Sequence, residues 1–149
     1  MAALIGVDLI ITGQQQFVKH SRKSRNRFFY NLESGHGQYI AALAGFLPFR
    51  SNSVDFVYST QAVSRFLLKK KEIFQNAMWE ILRVLKVEGV VQIQPWISNV
   101  YDWSQEERET ACAFLQDLED LSIPYQVESL PRLYSPRLRI TKPQILIPR

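Results

Sequence analysis

Cysteine and histidine are scarce in this 149-residue chain, which holds one thiol, Cys112, and two imidazoles, His20 and His36. A lone cysteine cannot close an internal disulfide, so nothing asks for an oxidising compartment and a cytoplasmic protein is expected. HExxH, CxxC, GxSxG and GxxxxGK[ST] patterns are all missing, which removes zinc-hydrolase, redox, nucleophile-elbow and phosphate-loop chemistry. No metal site is expected. No uncharged apolar run reaches the ~18 residues that span a bilayer, since the apolar opening Ala2 to Val7 stops at Asp8. No membrane partner is expected, and neither an internal repeat nor a low-complexity segment occurs.

What remains is a chain of single-domain length, 46% hydrophobic and 21% charged, and one folded domain over residues 1–149 is expected. The net charge of +4 is a mild excess. Lys19, Arg22, Lys23, Arg25 and Arg27 crowd nine positions, while Asp102 to Asp120 carries seven carboxylates against one arginine. Such runs are most often solvated faces, and without interleaved aromatics nucleic acid is the least favoured partner.

Ala3 to Leu9 is a continuous aliphatic run, the pattern of a buried parallel strand ending at an acid. Residues 13 to 27 suggest a weak helix or an exposed connection, which Gly35-His36-Gly37 breaks. Gln38 to Leu43 and Val54 to Tyr58 follow as strands. From Glu72 the apolar residues Ile73, Phe74, Ala77, Met78, Ile81, Leu82 and Leu85 recur every three or four positions, the stripe of a helix ending near Gly89. Val90 to Gln94 is then a strand. Ser104 with Glu107 forms a capping box for a helix over about Gln105 to Leu121, with Ala111, Phe114, Leu115 and Leu118 inward and its acids outward. Cys112 is expected there as a small buried hydrophobe. Tyr125 to Leu130 and the alternating Arg137 to Thr141 suggest an antiparallel pair at a sheet edge. The order implies an α/β domain with a mainly parallel sheet and an antiparallel C-terminal strand pair.

Asp8 at a strand end could accept hydrogen bonds from ribose hydroxyls, or cap the next helix. Two linked stretches then carry a resemblance. Leu47-Pro48-Phe49, a polar turn and Val54-Asp55-Phe56-Val57-Tyr58, followed after one helix by Glu80-Ile81-Leu82-Arg83-Val84-Leu85-Lys86 and Gly89, resemble class I S-adenosylmethionine-dependent methyltransferases of the type 11 branch. Ile5-Gly6-Val7-Asp8 resembles that family's second strand, and Arg139 to Pro143 the end of its last. The resemblance implies a Rossmann-like fold and S-adenosylmethionine as cofactor. It implies Asp8 on the ribose, Leu43 and Ala44 beside adenine, and Ser59 and Thr60 near the methionine end. A small molecule is the implied methyl acceptor.

The sequence departs from the family pattern in four places. The glycine-rich turn after the family's first strand has no counterpart before Leu4, so that strand is expected to be missing. Leu43 stands where an acid would bond the adenine amine, and leucine cannot accept. Gln61, Ser64 and Arg65 replace a histidine and a Glu-His pair. Val87-Glu88-Gly89 replaces Pro-Gly-Gly. These departures leave the catalytic residues unassigned and open a second expectation, an inactive relic acting as an interaction or dimerisation module, with a homodimer formed through open strand edges.

Overall fold

The described elements run, from Ile5 to Thr141, as three strands, a π-turn, a helix, a strand, a helix and two closing strands. The computed structural model describes residues 5–10, 38–43, 45–97, 102–129 and 136–144, with side chains from residue 45 onward except Phe66. The expected connection at 13–27, the Gly35-His36-Gly37 break, both histidines and Ala44 lie outside these residues.

Strand β1 (Ile5–Ile10) pairs in parallel with β2 (Gln38–Leu43), Asp8 facing Ala41 and Ile10 facing Leu43. Strand β3 (Val54–Thr60) pairs in parallel with β4 (Leu85–Gln94). Next come the antiparallel β6 (Arg137–Thr141) and, at the edge, β5 (Tyr125–Glu128), giving the order β3-β4-β6-β5. The architecture is Rossmann-like: two parallel pairs and an antiparallel finish.

Helix α1 (Lys71–Val84) and helix α2 (Gln105–Asp120) close the core over one face of the larger sheet. Phe74, Ala77, Met78, Ile81 and Leu82 of α1 share a buried cluster with Val91 and Ile93 of β4 and Leu138 and Ile140 of β6. The two helices meet through Phe114, whose ring stands edge-on to Phe74 at 5.3 Å between centroids. Each such side chain contributes about 1.5–3 kcal/mol on full burial, so this cluster holds the sheet's geometry. The capping box is formed as the residue pattern implies: Ser104 Oγ accepts from Glu107 N–H at 3.2 Å and Glu107 Oε2 from Ser104 N–H at 2.8 Å.

Four expectations need correction. Strand β1 does not end at Asp8: Leu9 and Ile10 carry its pairing on, opposite Ala42 and Leu43, so the acid lies within the strand. Helix α1 does not run to Gly89 but turns into β4 at Leu85, whose ψ is 139°. The reason is distant in sequence: Lys142 Nζ donates to the Leu85 carbonyl at 2.8 Å and approaches that of Arg83 at 3.3 Å, taking carbonyls that another helical turn would need. Cys112 is exposed. It follows Ala111 on the helix, and a single helical step carries it past the buried edge. Glu107 is buried with its carboxylate spent on the cap, so the acids of α2 do not all face water.

Candidate functional site at the strand ends

In open α/β sheets the ligand crevice lies beyond the carboxyl ends of parallel strands. Asp8 sits two positions before the end of β1, and Leu43 ends the neighbouring β2. Ser59 and Thr60 end β3, opposite Ile93 and Gln94. Four of the five expected residues therefore fall into two groups, and Ala44 lies outside the described residues. Among those residues no hydrogen-bonded strand joins the β1–β2 pair to the larger sheet.

The turn that follows β3 is built tightly. Gln61 adopts a φ of 65°, and its N–H donates to the Gln94 carbonyl at 2.6 Å, tying the turn to the end of β4. Ser59 Oγ accepts from Val63 N–H at 3.2 Å, which fixes the start of a single wide π-helical turn, Val63–Leu67. Wide turns of this kind recur at functional sites. Ser59 is buried with its oxygen engaged inward, while Thr60 is exposed. Ser64 Oγ is buried in the turn without a hydrogen-bond partner. Next to it the Arg65 guanidinium lies 5.4 Å from the ring centroid of the buried Trp103, a cation–π contact from this turn to the segment leading into α2.

The loop entering β3 is clamped from below by α1. Arg83 donates through Nε and one Nη to both Glu80 oxygens at 2.7 Å, and that Nη also reaches the carbonyls of Phe49 at 2.9 Å and Leu47 at 3.2 Å. Its other Nη donates to Ser51 Oγ at 3.0 Å. Glu80 accepts in turn from Leu47 N–H at 2.8 Å. The paired carboxylate raises the Arg83 pKa through its hydrogen bonds, against partial desolvation. So the Leu-Pro-Phe stretch and the Glu-x-x-Arg stretch are two halves of one polar clamp. Their spacing was visible in the sequence; their joint task was not.

Chemically, these strand ends offer the Asp8 position, the exposed hydroxyl of Thr60 and backbone groups of the turn. Among the described residues no group of three His, Cys, Asp or Glu could hold a metal ion, and no helix is long and apolar enough to cross a membrane. The open groove at Pro124, Tyr125, Gln126, Arg139 and Thr141 lies elsewhere, because β6 runs against β4 and Thr141 faces Val90, away from the strand ends.

A parallel pair with an acid near its end, a second pair with a structured turn at its end and an antiparallel finish together make a Rossmann-like domain of the kind methyltransferases share. The model of the methyltransferase domain family, type 11, matches residues 3–93, and the chain belongs to that family. Solved structures share the fold at low identity. A SAM-dependent methyltransferase from Methanosarcina mazei is 14% identical with a TM-score of 0.57, over 95% of this chain and 82% of that one. One from Aquifex aeolicus is 15% identical with a TM-score of 0.53, over 93% and 67%. The PH0226 protein of Pyrococcus horikoshii is 15% identical with a TM-score of 0.55, over 95% and 72%. No protein with a curated description matches the chain.

Proposed function

We propose that this chain binds S-adenosylmethionine and transfers its methyl group to a small-molecule acceptor, as a single domain working in the cytosol. The observation that carries this reading is the family-matched parallel pair with Asp8 two residues from the end of β1 and Leu43 ending the strand beside it. An aspartate there suits the vicinal hydroxyls of a ribose, and Leu43 with Ala44 supplies an apolar flank for adenine. Thr60 would meet the methionine end with its exposed hydroxyl. Ser59 accepts from Val63 N–H and keeps its own O–H to donate. The bound cofactor supplies an electrophilic methyl group on a sulfonium. The chain's task is then alignment and exclusion of water, which needs no general base unless the acceptor must lose a proton.

Binding is tested by thermal unfolding with S-adenosylmethionine and S-adenosylhomocysteine. Ligand at 100 times its dissociation constant stabilises by about 2.7 kcal/mol, and Asp8→Ala should abolish that gain. No shift at millimolar ligand overturns the reading.

A second reading, a family relic that serves as an interaction module, is favoured by Leu43, which offers no acceptor to the adenine amine. A homodimer is proposed under either reading.

A further inference from the structure

On the methyl-transfer reading proposed above, we infer that the acceptor is a small oxyanion, bearing a carboxylate or a phosphate, and that Arg65 binds it. Between Asp55 and Glu80 the chain carries four cations, Arg65, Lys69, Lys70 and Lys71, against one acid, Glu72. All four cationic side chains are exposed.

Hydrogen bonds hold this run at the end of β3. Arg65 N–H donates to the Gln61 carbonyl at 3.1 Å, Lys70 N–H to that of Leu67 at 2.9 Å and Phe74 N–H to that of Lys70 at 2.9 Å, so the chain coils from the end of the strand into α1 without a slack loop. Helix α1 then runs back along the sheet, since its 14 residues, about 21 Å of helix, end where β4 begins. The four cations therefore lie at the carboxyl ends of the parallel strands, the side on which such a sheet binds its ligand. Stability does not account for them. Arg65 and Lys69 are four positions apart in a coiled turn, and like charges at that spacing repel. Lys70 and Lys71 open α1, where the helix dipole disfavours positive charge. Departures from local preference of this kind concentrate at functional sites.

Arg65 is the cation that the fold prepares. Its guanidinium lies 5.4 Å from the ring centroid of Trp103, whose side chain is 3% exposed. Trp103 is itself held, for its carbonyl accepts from Arg108 Nε at 3.3 Å and the next residue, Ser104, caps α2. A guanidinium placed in advance loses less freedom when its planar fork of N–H donors takes two oxygens of a carboxylate or a phosphate. Lys69, Lys70 and Lys71 add a field of the same sign, which concentrates anions at the rim and repels cations. The sulfonium of S-adenosylmethionine is positive as well, so an anion is the acceptor that both the rim and the bound cofactor attract.

Calorimetric titration of the full chain at matched ionic strength, with sodium pyrophosphate and sodium succinate as probes and sodium chloride as the blank, tests this. At least one probe should bind saturably, pyrophosphate alone marking a phosphate acceptor and succinate alone a carboxylate. Arg65→Gln should weaken that binding about tenfold or more, as the loss of a charged hydrogen-bonding partner does. Lys69→Gln, Lys70→Gln and Lys71→Gln together should weaken it about threefold through the lost field. Lys86→Gln, beside Asp55 at the opposite end of the strands, should leave it unchanged. If Arg65→Gln alters the circular dichroism spectrum, the triple variant decides, since its three side chains are exposed. Saturation by neither probe up to about 10 mM overturns the inference. So does wild-type binding in either variant, or an equal loss in Lys86→Gln. The two readings fail separately: a shift with S-adenosylhomocysteine but no anion binding overturns the anionic acceptor alone, whereas anion binding without that shift overturns methyl transfer and the acceptor with it.

Discussion

The Glu80–Arg83 pair shows how a motif can be diagnostic of a family without touching its chemistry. Five of the guanidinium's hydrogen bonds and one from the Leu47 amide converge on two side chains, tying the loop before β3 to the last turn of α1. Hydrogen bonds to charged groups contribute about 1.5–3 kcal/mol. Glu80→Gln keeps the shape and removes the charge, so it should cost about 2 kcal/mol, read as a lower urea midpoint at constant slope. Cofactor affinity should change less than stability. The sequence displays both stretches because each is local. It cannot display the clamp, since Leu47 and Glu80 are 33 positions apart.

Among the elements, α2 was legible almost to the residue, because Ser104 and Glu107 satisfy each other within one turn and the stripe through Ala111, Phe114 and Leu118 faces the core. Strand β2 was equally plain. The join between α1 and β4 was not: it rests on Lys142, 57 residues beyond the Leu85 carbonyl it binds. The π-turn after β3 also escaped, for its determinants are the Ser59 hydroxyl and the backbone of Gln61 rather than a periodic pattern. Near the candidate site the end of β2 at Leu43 could be read, but β1 runs two residues past Asp8 and β3 two past Tyr58, and the inward use of the Ser59 hydroxyl left no sequence signal. Early β4 supplies its own test. A Cβ on Gly89 would stand 2.8 Å from the Lys86 carbonyl oxygen and 3.1 Å from that of Asp55, both backbone atoms that cannot swing aside. Gly89→Ala should therefore destabilise by about 1–3 kcal/mol, the range for overpacking, with β3–β4 amides losing exchange protection first.

Across the molecule, Lys142 links the last strand, the turn before β3 and the end of α1. Its ammonium also donates to Asn52 Oδ1 at 2.7 Å, while burial and, less strongly, the nearby Arg83 charge lower its pKa from 10.5. The folded chain thus binds this proton less tightly than the unfolded chain. Between the lowered pKa and 10.5 the unfolded state carries more of it, so this group's contribution to stability rises with pH across that window. The unfolding free energy of wild type minus that of Lys142→Met should accordingly increase from neutral pH toward 10.5, measured by denaturant titration at each pH. A flat difference would mean that the ammonium is as well solvated folded as unfolded.

The direct passage from Val84 into Leu85 has an engineering consequence. Circular permutation and domain insertion need an exposed link with slack, and here helix gives way to strand without one. A split reporter divided between positions 84 and 85 should fail to reassemble, whereas a cut at the exposed Leu121-Ser122 turn, where chain can be added without displacing packed side chains, should be tolerated.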